Sequence, residues 1–352
     1  MDDRFRSNNR WWILVKIGIM KAHIKAISYY LPEITLSNEQ LIEQFPDWSV
    51  EKVASKVGIH SRRVAGKHEL SSDMAIEAAN KLFAEHNIDR NTIDFIILCT
   101  QSPDYFLPTT ACILQHKLGL PTTAGAFDFN LGCSGYVYGL AIAKGFVMAG
   151  IAKNILLLTS ETYTKFIHKL DRGNRTIFGD AAAATLISTD GFAGIQDFVL
   201  GTDGDGANNL IVENGGLRKP EDDDSIQEQL NEGKFPGQYL YMNGPEIFNF
   251  TIESVPGLVN DILAKHNLSM DDVDVFVFHQ ANKYMLDYLR KKIKIPLEKF
   301  YVYLENCGNT VSSTIPIAIY EAMKEGKIKK GDKVLLAGFG VGYSWGATII
   351  QF

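Results

Sequence analysis

The stretch Val273–Asn282, VDVFVFHQAN, is an apolar run that ends abruptly in a histidine and two amides. This pattern predicts a buried strand with a polar carboxyl end. In open α/β sheets, ligands bind beyond the carboxyl ends of the strands, so polar residues at such an end are candidate site residues. The stretch therefore predicts an α/β protein with His279 at the edge of its sheet. A core histidine with a satisfied hydrogen bond is the alternative.

The same pattern occurs once more, earlier in the chain. Asn80–Thr100, NKLFAEHNIDRNTIDFIILCT, aligns without a gap with Asn260–Gln280, NDILAKHNLSMDDVDVFVFHQ, at an offset of 180 residues (260 minus 80). The identical pairs are Asn80/Asn260, Ala84/Ala264, His86/His266, Asn87/Asn267 and Asp94/Asp274. Both copies predict a helix end, a polar turn and a buried strand, which indicates duplication of a half-domain. Cys99 and Thr100 stand where His279 and Gln280 stand, so only one copy has the polar strand end.

The remaining periodicity predicts strands that alternate with helices, and hence mainly parallel sheets covered by helices. Predicted strands are residues 22–30, 93–99, 125–130, 155–159, 181–188, 273–278, 300–304 and 333–337. Predicted helices are residues 38–45, 50–57, 72–85, 110–118, 134–148, 248–265, 283–292 and 312–324. We divide the chain into an N-terminal extension (1–19), a first half (20–190) and a second half (191–352). The Gly- and acid-rich stretch Gly201–Gly237 is expected to be a surface excursion over the site.

The composition of the chain disfavours several classes of partner and site. The chain has 352 residues, 46% of them hydrophobic, and a net charge of −6, which disfavours nucleic acid as a partner. The four cysteines have neither zinc-ligand nor disulfide-framework spacing, so no metal site is predicted and a reducing cytoplasm fits best. The apolar run within residues 1–19 is too short to span a bilayer. We expect those residues to be a disordered leader or an upstream start, and no stable membrane insertion.

Cys133 is a candidate nucleophile. It lies in FDFNLGCSG (127–135), where a predicted strand meets a predicted helix. The free N–H groups and the positive dipole end of a helix start favour a thiolate over a thiol. Small neighbours leave room for a bulky electrophile. A buried packing cysteine is the alternative, since that is what most free cysteines are.

Asn309 occupies the mirrored turn of the second half, in NCGNT (306–310). If the halves pack about a pseudo-twofold axis, Cys133 and Asn309 meet near that axis and His279 ends a neighbouring strand. A cysteine, a neutral histidine and an amide suit acyl transfer, with the thiol taking the acyl group and the other two holding an enolate oxygen. The glycine-rich turn Gly338–Gly346 is expected either to complete an oxyanion hole or to form a tight hairpin.

These residues together resemble the beta-ketoacyl-acyl carrier protein synthase III family of thiolase-fold condensing enzymes. The resemblance runs from about Met20 to Phe352. It is carried by Cys133 in its small-residue turn, HQAN (279–282), GNT (308–310) before a Ser-x-x-Pro helix, DRG (171–173) before FGD (178–180), and the closing glycine-rich turn. It implies a thiolase-like α/β fold of two fused, pseudo-twofold-related βαβαβαββ halves in an α-β-α-β-α layering. It also implies a homodimer.

The resemblance further implies that an acyl-CoA acylates Cys133 and that malonyl-acyl carrier protein then undergoes decarboxylative condensation, starting fatty-acid synthesis without a further cofactor. His279 and Asn309 would bind the malonyl thioester oxygen. Backbone N–H groups of Cys133 and Val341 would form the oxyanion hole. Other implied or expected contacts are Arg172, Asn282 and Leu107 on the substrate and CoA path, and Arg290, Lys291 and Lys292 toward the carrier protein.

Departures from the family pattern leave alternatives open. Lys52 and Lys56 stand where the family commonly has the Trp and Arg that sandwich the CoA adenine, and Leu107 replaces a frequent Phe. A specialised relative in secondary metabolism or surface-polysaccharide synthesis is one alternative, and an acyl-thioester hydrolase is another. A papain-like cysteine hydrolase shares the chain order Cys, His, Asn but lacks the supporting signatures. A non-enzymatic acyl binder would not need the thiol.

Overall fold

A computed structural model describes residues 21–45, 47–220 and 235–352. The predicted N-terminal extension and residues 221–234 of the predicted surface excursion lie outside the described residues. The strands are β1 His23–Tyr30, β2 Ile34–Ser37, β3 Ser61–Val64, β4 Phe95–Cys99, β5 Gly125–Phe129, β6 Asn154–Glu161, β7 Ala181–Ser188, β8 Ala193–Thr202, β9 Leu210–Ile211, β10 Tyr241–Met242, β11 Val275–Phe278, β12 Phe300–Tyr301, β13 Lys333–Gly340 and β14 Ser344–Gln351. The helices are α1 Asn38–Ile42, α2 Val50–Val57, α3 Ser71–Glu85, α4 Thr110–Lys117, α5 Gly135–Met148, α6 Arg172–Arg175, α7 Gly244–Lys265, α8 Lys283–Ile293 and α9 Thr314–Lys324.

Ten of the strands form one hydrogen-bonded order, β12-β11-β13-β14-β8-β1-β7-β6-β4-β5. The order reads as two mirrored sets of five strands joined by the antiparallel pair β1–β8. In the first set β4 is parallel to β5 and β6, and β7 is antiparallel to β6 and β1. In the second set β11 is parallel to β12 and β13, and β14 is antiparallel to β13 and β8. The duplication inferred from sequence therefore extends to the topology of the whole sheet.

The core is layered. The central cluster joins residues of both halves and includes Val137 of α5 and Ile319 of α9. A second cluster packs α3 and α4 on the outer face of the first set, and a third packs α7 and α8 on the outer face of the second set. Helices therefore lie between and outside the two sets of strands, which is the predicted α-β-α-β-α arrangement.

Identical residues of the two repeats also have the same backbone conformation and hydrogen bonds. Asn87 and Asn267 follow their helices with left-handed φ angles of 50° and 53°. Asp94 accepts a hydrogen bond from the Asn154 N–H at 2.9 Å, and Asp274 accepts the equivalent one from Lys333 at 2.8 Å. Each aspartate thus joins the start of its strand to the start of the next parallel strand. The identical residues are the ones that fix the connection from helix to strand.

The structure corrects several predicted elements. The hairpin of β2 and β3 and the long strand β8 were not predicted. Helix α7 begins four residues earlier than expected, because Asn243 caps it by accepting from the Glu246 N–H and a proline follows in its first turn. The closing turn is narrower than 338–346, since Gly340 pairs with Ser344. The predicted boundary between residues 190 and 191 lies between β7 and β8 and stays a prediction.

Candidate active site

Cys133 lies in the turn between β5 and α5, and only 7% of it is exposed. The turn is closed by a hydrogen bond from the Gly135 N–H to the Gly132 carbonyl at 2.8 Å. A bond of 2.6 Å between the Ser134 and Ser344 hydroxyls ties it to β14. The turn of the first half is thereby fixed against a strand of the second half.

Two glycines of β13 make room for Cys133. A Cβ atom at Gly340 would lie 2.8 Å from the Cys133 Cβ and 3.0 Å from its Sγ. A Cβ atom at Gly338 would lie 2.9 Å from the Cys133 carbonyl oxygen. Packed atoms do not approach so closely without displacement, so this strand needs glycine where the thiol lies against it.

The resting thiol is protonated at neutral pH. Burial, and after it the charge of Glu161, raises the pKa of Cys133 to about 12, although a backbone N–H opposes the shift. The sequence analysis predicted a thiolate instead, because Cys133 lies at the start of a helix. Removal from water disfavours the charged form and outweighs the helix. Cys133 must therefore lose its proton as it attacks.

His279 follows β11 and is buried. Its backbone N–H donates to the Ala337 carbonyl at 2.8 Å, and its ring lies edge-on to Phe339 with centroids 5.7 Å apart. Burial lowers the pKa of His279 to about 3. The imidazole is therefore neutral at physiological pH and has one N–H and one free lone pair.

Asn309 and Thr314 fix the two ring nitrogens of His279. The Asn309 Oδ1 accepts from the Val311 N–H at 2.9 Å, which turns the amide N–H₂ toward His279 Nε2, 3.4 Å away. The Thr314 hydroxyl lies 2.8 Å from His279 Nδ1. It also donates to the Val311 carbonyl at 3.0 Å, so it can accept from Nδ1. Thr314 was not among the residues predicted from sequence.

The structure brings the predicted catalytic residues into one region. Cys133 belongs to a buried apolar cluster with Val311, which lies two residues after Asn309. Phe339, which contacts the His279 ring, directly precedes Gly340 at the Cys133 thiol. The Val341 Cγ1 would lie 2.8 Å from a Cβ at Gly132, so Val341 packs on the Cys133 turn. Its proposed oxyanion contact stays a prediction.

An apolar cavity of about 800 Å³ adjoins this region. Val341 and Tyr163, which both pack around Cys133, are part of its wall. Its lining includes Gln101, Tyr105, Phe106, Phe166 and Leu240. A separate cavity of about 790 Å³ lies near Lys21 and Phe352 and has no predicted site residue in its lining.

The predicted binding residues lie outside this buried region. Arg172 pairs with Asp47 at 3.7 Å and lies over the Phe45 ring. It neighbours a groove of about 220 Å³ that includes Trp48, Lys52, Lys56 and Gly173. Asn282 caps α8 by accepting from the Met285 N–H.

The other predicted contacts differ in exposure. Leu107 is 82% exposed. Arg290 is partly buried and donates to the Ile295 carbonyl at 3.1 Å, whereas Lys291 and Lys292 are exposed. Their roles stay predictions.

Sequence reasoning also missed Glu161, which is buried at the end of β6. The signal was present, because NILLLTSE (154–161) is an apolar run with a polar end, as in the stretch that ends in His279. No helix in the described ranges is long and apolar enough to cross a membrane. Within those ranges, no cluster of three His, Cys, Asp or Glu residues could hold a metal ion.

Known proteins with similar sequences belong to the family that the sequence resembles. Residues 127–204 match the 3-oxoacyl-[acyl-carrier-protein] synthase III family, and residues 263–352 match its C-terminal part. Beta-ketoacyl-[acyl-carrier-protein] synthase III of Clostridium perfringens (strain ATCC 13124) is 38% identical over 323 residues, covering 92% of this chain and 96% of that one.

Solved structures agree as well. A 2.1 Å crystal structure of a 3-oxoacyl-(acyl-carrier-protein) synthase III is 49% identical, with a TM-score of 0.91 over 94% of this chain and all of that one. A 3-oxoacyl-(acyl-carrier-protein) synthase from Burkholderia xenovorans LB400 is 37% identical, with a TM-score of 0.86 over 94% and 93% of the two chains. A papain-like fold is thereby excluded, and neither a thioester hydrolase nor a specialised relative is favoured. The chain belongs to the beta-ketoacyl-acyl carrier protein synthase III family and is an acyltransferase of the condensing type.

Proposed function

We propose that this chain condenses an acyl group from an acyl-CoA with malonyl-acyl carrier protein, releasing CO₂ and forming 3-oxoacyl-acyl carrier protein at the start of fatty-acid synthesis. The observation that carries the proposal is that Cys133 and the hydrogen-bonded His279–Asn309 pair lie in one buried region beside an apolar cavity. The reaction as proposed needs only the two thioesters and no further cofactor. The free thiol it requires suits a reducing cytoplasm.

The first half-reaction acylates Cys133. The thiol sulfur attacks the thioester carbonyl, the new S–C bond forms, and CoA leaves with the proton that the thiol gives up. Backbone N–H groups of Cys133 and Val341 would stabilise the oxyanion, and the apolar cavity would take the acyl chain.

The second half-reaction generates the carbon nucleophile. His279 Nε2 and the Asn309 amide would hold the malonyl thioester oxygen while the C–CO₂ bond breaks and an enolate forms. To donate through Nε2, the imidazole must carry its proton there. The Thr314 hydroxyl allows this because it can turn from the Val311 carbonyl and donate to Nδ1 instead. The enolate carbon then attacks the acyl group on Cys133. The new C–C bond forms, the S–C bond to Cys133 breaks, and the released sulfur takes up a proton and returns to the resting thiol.

Substrate delivery would use the residues at the rim. Arg172 and the Lys52–Lys56 groove present cations to the phosphates of CoA, and Asn282 and Leu107 would line the same path. Lys291 and Lys292, with Arg290 beneath them, offer charge to an acidic carrier protein. Charge at such a rim mainly raises the rate of association.

We also propose a homodimer. Tyr105, Phe106 and Leu107 are consecutive and 61%, 88% and 82% exposed. Three neighbouring apolar side chains this exposed favour a covering partner surface. Tyr105 and Phe106 also line the apolar cavity, so a second copy seated there would close it.

Intact-protein mass spectrometry with acyl-CoAs from acetyl upward tests the proposed nucleophile. We expect a stable mass increase that is absent in Cys133→Ala and retained in Cys112→Ala, a matched change at an exposed cysteine. An adduct that persists in Cys133→Ala would overturn the assignment. No adduct with any CoA on the folded protein would overturn acyl-CoA as the donor.

A further inference from the structure

Glu161 is a buried acid next to the proposed nucleophile that the condensation as described does not use. It ends β6, and its side chain is fully buried. Its carboxylate accepts the Gln101 N–H at 3.0 and 3.1 Å, the Ser102 hydroxyl at 3.0 Å and the Ser312 hydroxyl at 3.4 Å. All of these partners in the described chain are neutral. Burial raises the pKa of Glu161 to about 8, and the charge of Asp180 adds to the shift, although the hydrogen bonds oppose it.

The carboxylate holds the start of the loop Gln101–Leu107. Its two oxygens share the Gln101 backbone N–H, and the Gln101 side chain continues toward Cys133. The Gln101 Nε2 donates to Asn130 Oδ1 at 3.1 Å, and its Oε1 would lie 2.7 Å from a Cβ at Gly132. Glu161 thereby fixes the residue that packs on the turn before the thiol.

The carboxylate also reaches the turn that carries Asn309. Ser312 donates to Glu161 and belongs to the 3₁₀ turn Val311–Ser313. The Val311 N–H in that turn orients the Asn309 amide. One carboxyl group therefore contacts segments on the Cys133 side and on the Asn309 side of the site.

Charge links Glu161 to the thiol as well. After burial, Glu161 is the main cause that raises the pKa of Cys133. Two acids that interact in one buried site titrate as a pair, so ionisation of one opposes ionisation of the other. The carboxyl ionises first, and its charge then disfavours the thiolate.

We propose that Glu161 is a positioning residue for the condensation, holding Gln101 and Ser312 in place and, once ionised, imposing a negative charge that ionisation of the Cys133 thiol must overcome. This inference rests on the proposed role of Cys133 as acyl acceptor. It predicts that neutralising Glu161 makes Cys133 more reactive toward a simple electrophile, while removing the side chain loosens the loop.

The test is the pH dependence of iodoacetamide alkylation, with modification counted at Cys133 by peptide mass mapping. Glu161→Gln keeps an oxygen acceptor for the Gln101 N–H and removes the charge. We expect its alkylation midpoint to fall by about one pH unit. Glu321→Gln is the matched control, because Glu321 is also a buried carboxyl but binds Tyr29 instead, and its profile should be unchanged.

A Glu161→Gln profile that superimposes on that of the unsubstituted protein, with both proteins folded, would overturn the proposal. A merely structural role would lower the melting temperature and leave the profile in place. If Glu161→Gln does not fold, Ser312→Ala serves instead. Losing that donor raises the pKa of Glu161, so the inflection that Glu161 ionisation gives the alkylation profile near pH 8 should move to higher pH, and an unmoved inflection overturns the proposal. Alkylation needs no acyl donor, so this outcome is independent of the acylation test on Cys133→Ala.

Discussion

Cys99 is the last residue of β4 in the first half, whereas His279 directly follows the equivalent strand β11 in the second half. Each lies beneath the helix start of its own half. The Cys99 Sγ would be 2.3 Å from a Cβ at Gly135 and donates to the Leu131 carbonyl, so it fills space under α5. His279 hydrogen-bonds instead to Thr314 at the start of α9. Equivalent strand ends therefore carry a cysteine that fills space in one half and a histidine that can bind a substrate oxygen in the other.

The helix starts also pack across the two halves, and the contacts differ in kind. The Cys133 turn meets Gly338 and Gly340 on β13. The mirrored turn before α9 meets Thr159 and Glu161 on β6, through a Ser313–Thr159 hydroxyl contact of 2.9 Å and through Ser312. Glycine leaves room where a substrate thioester must reach the sulfur, whereas the other side is filled by a polar network. Duplication thus supplied two equivalent positions, and substitutions made them different.

Substitutions at His279 and Cys99 are expected to show the largest difference between the two halves. We expect His279→Ala to lower malonyl-carrier decarboxylation by about 10³-fold, because a donor to the developing enolate is lost. Acylation of Cys133 should survive in that variant. Cys99→Ala, the mirrored change, should alter decarboxylation less than about twofold and lower only stability, by about 1 kcal/mol. Release of CO₂ from malonyl-carrier protein measures this, and full decarboxylation by His279→Ala would contradict the assigned role.

The second prediction concerns Gly340→Ala, which adds a Cβ atom next to the Cys133 thiol. An alanine Cβ there would press on the Cys133 Cβ and Sγ, so the thiol must move. We expect acylation by acyl-CoA to fall about 10²-fold, as misplacement of a reacting atom by about 1 Å does. Gly145→Ala in α5 is the matched control, since a Cβ there meets nothing within 4 Å. It should keep full activity and gain slightly in stability. Equal activity of both variants would show that the close contact is not needed.

Much of this site could be predicted from the sequence because its residues follow strands. The pattern of an apolar strand with a polar end placed His279 correctly at the end of β11, and the repeat placed Cys133 and Asn309 in mirrored turns. Gln280 and Asn282 share the polar end, and both side chains make hydrogen bonds within the protein. Gln280 binds the Phe278 carbonyl and the Tyr303 N–H, and Asn282 caps α8. Spacing alone does not distinguish a hydrogen bond to the backbone from one open to a substrate.

Other features depend on three-dimensional packing and left little trace in the sequence. Burial determines the ionisation of Cys133, and neighbouring residues in the chain do not reveal it. The strand β8 was missed because its sequence, AGIQDFVLGT, mixes buried and partly exposed positions without clear alternation. Thr314 gives no local signal at all, because its significance comes from a histidine 35 residues away.

Changing Thr314 is expected to give the smallest loss of decarboxylation rate. It tests whether Thr314 selects the tautomer of His279. Thr314→Val keeps the shape but removes the hydroxyl that can donate to His279 Nδ1, so the Nε2–H tautomer loses its support. We expect decarboxylation to fall about tenfold, the rate equivalent of one buried hydrogen bond. Thr314→Ser retains the hydroxyl and should restore most of the rate.

The pH profile separates this effect from a change in histidine charge. Because burial lowers the pKa of His279 to about 3, the ring is neutral throughout pH 5 to 8, and decarboxylation should have no inflection near 6.5 in either variant. The unfolded chain binds a proton at His279 between pH 3 and 6.5 and the folded chain does not, so this residue's contribution to stability is lost as the pH falls through that window. An inflection near 6.5 that appears only in Thr314→Val would mean that the threonine acts by keeping the ring neutral and not by selecting its tautomer.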